Sequence, residues 1–219
     1  MLKWLMRKGI AAFERKWDYD ASYVRELIDA DPLAVWKFSR AAAIGSYRKD
    51  VPLAAWTAAA VTAVRHEDCG PCTQLGVSMA EKSGVEPGVL RAILAEDPAA
   101  MPDDVALAWR FARATIDHDP TADEYRREIV RRWGPRAVIS LAFAMVASRV
   151  YPTVKYAMGH GKACTRILVS GAPVVLSYRS GSANTQTDAP RSGGLRISGT
   201  SAGNVAACAP PLPTTIATN

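Results

Sequence analysis

The chain has 219 residues, 49% hydrophobic and 22% charged, with four cysteines and a net charge of +6. This suits one soluble domain with a sizeable core, or at most two small ones, and excludes a disulfide-built scaffold. The excess of base favours acidic partners only weakly. The arginines fall in helical stretches that also carry acids, so no nucleic-acid partner is expected.

Leu2, Met6, Ile10, Phe13 and Trp17 open the chain at helical spacing, with Lys3, Arg7, Lys8, Arg15 and Lys16 largely elsewhere. This basic amphipathic helix is read as docked on its own core or on a neighbouring subunit, rather than lying on an anionic membrane. Its apolar residues are spaced, not contiguous, so it is not a signal peptide. No run approaches the roughly 18 apolar residues of a span, so no stable membrane insertion is expected and the cytoplasm is the expected compartment.

Helix then follows helix. "SYVRELIDAD" opens on Ser22 as a cap and stops before Pro32, and "PLAVWKFSRAAAIG" runs from Pro32 to Gly45. "VPLAAWTAAAVTAVRHED" is Ala-rich and leads into "CGPC". Helical spacing resumes through Leu75, Met79 and Lys82, ending at Gly84. "PGVLRAILAED" and "PDDVALAWRFARATIDHD" both start on proline, the second with acids in its first turn that suit the helix dipole. "TADE" from Thr121 has the spacing of a capping box. In the helix after it, Asp123 precedes Arg127 and Glu128 precedes Arg132 by four residues, the spacing of ion pairs on a solvated face. "PRAVISLAFAMVASRVY" is apolar nearly all round and is expected to be the central buried helix. "CTRILVSGAPVVL" holds two β-branched runs around Ser170-Gly171, a hairpin or an extended arm.

From Tyr178 onward the chain is rich in Ser, Thr, Gly, Ala and Pro and cannot offset its ordering entropy. The expectation is therefore an all-α bundle with a short extended arm and a disordered C-terminal tail. Residues 1–20 would form the basic helix, 21–177 the helical domain and 178–219 the tail.

The chemistry concentrates in "RHEDCGPCTQL", residues 65–75. Cys69 falls just before or at the first turn of a helix, and Pro71 within that turn, where its missing N–H does no harm. Free N–H groups and the dipole favour a thiolate there, below the free value of about 8.5. One turn separates the sulfurs, so Cys69 and Cys72 can close into a disulfide without moving the fold. His66 and Glu67, next in sequence, are placed to pass protons, and Cys69 is expected to be the more exposed, exchanging thiol. The alternative is a non-catalytic helical binding protein whose cysteines act as a redox switch or bind zinc, drawing on Cys164 and on His66 or His160; two inert structural cysteines are a further reading. No cofactor or metal is expected on the dithiol reading. Cys164 is read as a packed small residue, Cys208 as part of the tail, His118 as a helix-end residue and His160 as an exposed loop residue. A thioredoxin frame is excluded, because an Ala-rich helix and not a strand leads into the motif.

A Cys-x-x-Cys opening a helix within an all-helical domain resembles the alkylhydroperoxidase D-like family, which includes the carboxymuconolactone decarboxylases. The likeness covers about residues 22–160 in architecture, and its specific part is "HEDCGPCTQLGVSMAEKSGV". The resemblance implies a thiol-disulfide oxidoreductase with peroxidase activity, in which Cys72 reduces a hydroperoxide and Cys69 closes the disulfide and exchanges with a dithiol reductant. It also implies a homo-oligomer. Two positions depart from the family pattern: Gly76 stands where it has a relay histidine, and Thr57 where it has a glutamate.

Overall fold

A computed structural model of the chain describes residues 1–162 and 166–176. Cys164, Cys208 and the tail expected from Tyr178 lie outside the described residues. The helices are α1 (Leu2–Trp17), α2 (Ser22–Ala30), α3 (Pro32–Ala42), α4 (Leu53–His66), α5 (Gly70–Lys82), α6 (Pro87–Ala95), α7 (Asp103–Ile116), α8 (Ala122–Trp133) and α9 (Pro135–Ala157). A 3-10 turn, Ala43–Ser46, follows α3. Strands β1 (Arg166–Val169) and β2 (Ala172–Val175) pair antiparallel, with Val169 opposite Ala172, so the two β-branched runs form a hairpin. Among the described residues the fold is all-α apart from it.

The central helix is α4, which packs against α5, α6, α7 and α9. Ala55, Ala58, Ala59 and Ala63 are fully buried on it, as are Ala108 and Ala112 on α7. Side chains this small let neighbouring helices approach on several sides while filling the space between them. This corrects the expectation that α9 is the centre. Helix α9 buries one stripe through Ala137, Leu141, Ala144 and Met145, while Ile139, Phe143 and Val146 are 37–50% exposed. Apolar residues all round fixed neither which face was covered nor by what. By length and composition α9 could cross a membrane, which the count of contiguous apolar residues did not register; 39% of its most apolar window is buried by this chain.

Two starts differ from expectation. Helix α2 is capped by Ala21, and Ser22 is its first residue, with its N–H donated to Asp20. Thr121 precedes α8 but gives its hydroxyl and N–H to Asp119, so no capping box forms. The two acids that suited the α7 dipole, Asp103 and Asp104, lie in its first turn. Along α8, Asp123 pairs with Arg126 and Arg127 and Glu128 with Arg131 and Arg132, the solvated face expected of that helix.

A smaller core, separate from the main one, lies between α1, α2 and α3. Tyr19, Tyr23, Val24, Ile28 and Val35 are buried in it. Met6, Ile10, Phe13 and Trp17 of α1 pack against it, and so do Leu75 of α5 and Val154 and Met158 from the end of α9. The α1 stripe therefore docks on its own chain, except at Leu2, which stays 63% exposed. Glu14 ties α1 to α2 by accepting from the Arg25 guanidinium and the Ala21 N–H.

Candidate redox site

The Ala-rich α4 ends at His66, and the chain reverses in two residues. Asp68 takes the left-handed conformation (φ 52°) that makes the turn, a region Asp enters more readily than most residues. Cys69 then sits in extended backbone as the N-cap of α5, with Pro71 in the first turn as the spacing implied. Cys69 and Cys72 are joined by a disulfide, their Cα atoms 5.3 Å apart. The Cys72 N–H points at Cys69 Sγ at 3.4 Å, and Thr73 donates both its N–H and its hydroxyl to the Cys69 carbonyl. Donors at a helix start thus converge on the motif, as the dipole argument requires.

Burial differs from the sequence reading. Cys69 is 0% exposed and Cys72 7%, so Cys69 is not the open thiol. The chain returns beside it and ties down both its neighbours: the Gly70 N–H donates to the Lys162 carbonyl, and the Tyr156 hydroxyl to the Asp68 carbonyl. Those contacts depend on residues about 90 positions away, which a local reading cannot supply. Gly161 permits the return, since a Cβ on it would lie 2.0–2.6 Å from the Tyr156 ring. Gly161→Ala should therefore displace Tyr156 and free the Gly70 end, costing about 1–3 kcal/mol as overpacking does. Thermal melting together with faster reduction of the disulfide by dithiothreitol checks this; an unchanged protein would show that the return does not guard the site.

A polar side chain that the sequence did not single out also reaches the disulfide. The Tyr19 hydroxyl lies 3.9 Å from Cys72 Sγ. A disulfide sulfur carries no proton, so the hydroxyl is the donor there. Lys155 of α9, 1% exposed, donates from Nζ to the Tyr19 oxygen at 3.3 Å. Its ammonium also lies 4.6 Å from the Tyr19 ring centre and 5.6 Å from that of Tyr23, distances suited to cation–π attraction.

Burial pushes the Tyr19 phenol up to about 12, against the lowering effect of a hydrogen bond with Tyr23; the negative charge of Asp20 adds to the rise. Burial likewise raises Tyr23 and Tyr151. For Asp20, desolvation is the largest single influence and acts upward. It is outweighed by hydrogen bonds from Ser22 and the charges of Lys155 and Lys162, which together hold the carboxyl below its usual range.

His66 and Glu67 lie together at the end of α4, but their polar contacts turn elsewhere. Among the described residues the His66 ring nitrogens lie 3.9 Å from Glu67 and 3.7 Å from Asp117, and Glu67 accepts from Arg149. Gln74 clamps β1, donating to the Leu168 carbonyl at 3.0 Å and accepting its N–H at 2.7 Å. That contact docks the hairpin on α5. His160 is not an exposed loop residue: its side chain is 22% exposed and bridges Ser22 (3.1 Å) and Glu26 (2.8 Å) of α2. His118 is exposed beyond the end of α7, as read.

At the two departing positions, Thr57 is buried with its hydroxyl lacking a hydrogen-bond partner among the described residues. Gly76 faces open space, where a Cβ would meet nothing within 4 Å. No group of three or more His, Cys, Asp or Glu side chains suited to a metal ion occurs among the described residues. Lys155 was missed because the apolar reading of α9 stopped at Tyr151. It occupies the same helical stripe as Leu141, Ala144 and Pro152, and a lysine on a buried stripe is the signal that was there to find.

Compared with known proteins, the chain matches no family model, no curated protein and no solved structure.

Proposed function

We propose that the protein is a thiol-disulfide oxidoreductase working through Cys69 and Cys72, with hydroperoxide reduction as its activity. The observation carrying this reading is the disulfide across the first turn of α5, its sulfurs beside helix N–H groups and the Tyr19 hydroxyl. Those donors stabilise a thiolate once the bond opens, and the motif spans one turn, so opening and closing need no rearrangement of the bundle.

In the reductive half, the thiolate of a dithiol reductant attacks one sulfur and forms a mixed disulfide, expelling the other sulfur as thiolate. The reductant's second thiol then closes its own disulfide and releases the first cysteine. In the oxidative half, the Cys72 thiolate takes oxygen from a hydroperoxide to give a sulfenic acid and, with one proton, an alcohol. The Cys69 thiol condenses with the sulfenic acid, losing water and restoring the disulfide. A reducing cytoplasm would supply the dithiol, and an alkylhydroperoxidase D-like bundle assembled as a homo-oligomer is the architecture that goes with this chemistry.

The test is consumption of tert-butyl hydroperoxide and hydrogen peroxide by the full chain, over a panel of dithiols from dithiothreitol to dihydrolipoamide. Turnover above the protein-free rate with at least one dithiol is expected. A protein that is reduced and reoxidised by disulfide reagents but consumes no peroxide would remove the peroxidase activity and leave the oxidoreductase. Failure of both reactions would remove the proposal.

A further inference from the structure

We infer that Tyr19 and Lys155 form a buried donor pair that stabilises Cys72 as a thiolate, Tyr19 touching the reacting sulfur and Lys155 acting through it. The inference rests on the dithiol reading of Cys69 and Cys72 but concerns groups that reading did not use. Its basis is an unbroken line: Cys72 Sγ, the Tyr19 hydroxyl at 3.9 Å, and the Lys155 ammonium 3.3 Å beyond. Every member of the line is at most 7% exposed. A lysine is almost never fully buried without a reason, since desolvating its charge is costly. Here it lies against a phenol that reaches the disulfide. Tyr19 keeps its proton at neutral pH, because burial pushes it up to about 12. It therefore serves as a hydrogen-bond donor and not as a base.

The pair acts when the disulfide opens. A reductant thiolate attacks Cys69 Sγ, the new S–S bond forms there, and the electron pair of the old bond goes to Cys72 Sγ. That sulfur then accepts a stronger, charge-assisted hydrogen bond from Tyr19, with the Lys155 cation just behind. No proton need leave Tyr19. The same two groups hold Cys72 ionised for attack on an oxidised substrate. Cys69 has a different donor, the Cys72 N–H at 3.4 Å. Among the described residues, other titratable groups bearing on this spot are Tyr23 of α2, Asp20 of the α1–α2 link, Tyr151 of α9, and Lys162 beyond α9. Asp20 opposes the cation and Lys162 adds to it. Asp68 and Tyr156 meet in the turn before Cys69.

Alkylation of Cys72 in the reduced full-length protein tests the pair without requiring any turnover. Iodoacetamide incorporation at Cys72 is followed by peptide mass mapping from about pH 5 to 10 in five proteins: the parent, Tyr19→Phe, Lys155→Met, Lys155→Arg and His66→Ala. The plateau rate at high pH reports access to the sulfur, and the midpoint reports its ionisation. A nearby opposite charge moves such a midpoint by one to three units. With a hydroxyl between charge and sulfur, the low end applies, so Lys155→Met should slow alkylation near pH 7 about tenfold with its plateau kept. Tyr19→Phe should move the midpoint in the same direction, and Lys155→Arg should restore most of the loss. His66→Ala should leave the midpoint where it was. Midpoints unchanged in Tyr19→Phe and Lys155→Met overturn the inference, and so does a shift in His66→Ala alone. If Lys155→Met does not fold, Tyr19→Phe decides by itself. Because alkylation needs no substrate, a shifted midpoint in a protein without turnover separates failure of the proposed activity from failure of the pair.

Discussion

Replacing either cysteine by serine should end turnover, with the two variants stopping at different points. In Cys69→Ser the remaining thiol of the motif, Cys72, keeps its position 3.9 Å from the Tyr19 hydroxyl. It should react once with a hydroperoxide and stop as a sulfenic acid, because no resolving thiol stands one turn away. In Cys72→Ser the remaining sulfur is the fully buried N-cap, held against Val64 and away from Tyr19's donor. It should be slow even in a single reaction. Steady-state rates should fall to the protein-free level in both, a loss of at least about 10³-fold if the dithiol carries typical nucleophilic catalysis. Dimedone labelling of the sulfenic acid separates the two. Equal labelling of both variants would show that the roles of Cys69 and Cys72 are not divided as described.

The second large effect concerns access. With Cys69 at 0% and Cys72 at 7% exposure, a reductant reaches the bond only when something opens. Tyr19, whose hydroxyl touches Cys72, belongs to the smaller core, in which Ile28 is 0% exposed. Ile28→Ala should cost about 2 kcal/mol at the low end of such truncations. If the smaller core opens as a unit, separate from the main core, that loss appears directly in the opening equilibrium. Reduction by dithiothreitol should then accelerate about thirtyfold, the ratio that 2 kcal/mol corresponds to. Leu90→Ala, a comparable truncation in the main core, should lower the melting temperature with little change in the reduction rate. Equal acceleration by both variants would mean that the disulfide is reached only by global unfolding.

What could be read from the residues alone was what depends on near neighbours in sequence. The proline starts of α3 and α6, the helix start at "CGPC" and the two β-branched runs either side of Ser170-Gly171 all rest on contacts within a few residues. Where a polar residue had two local partners to choose between, the reading failed. Thr121 turned to Asp119, and Ser22 became a helical residue whose hydroxyl meets His160, 138 positions away.

The exposure of Cys69 was misjudged for the same reason, since its neighbours Asp68 and Gly70 are held by Tyr156 of α9 and by Lys162 beyond it. The pair at the sulfur was the least legible part. Tyr19 and Lys155 are separated by 136 positions and lie on different sides of the main bundle helices in sequence. His66 and Glu67, adjacent to the cysteines in the chain, instead meet Asp117 and Arg149. Proximity in sequence to a motif measures little when a sharp turn, here through Asp68, lies between.

The central claim is that Cys69 and Cys72 form a reversible intramolecular disulfide, and intact-mass measurement with non-reducing peptide mapping of the native protein tests it most directly. The expected result is a 69–72 link that dithiothreitol removes with a gain of two hydrogens, that mild oxidation restores, and that leaves the melting transition cooperative in both states. Both thiols free after mild oxidation, or a mass that reports bound zinc on the reduced pair, would contradict it.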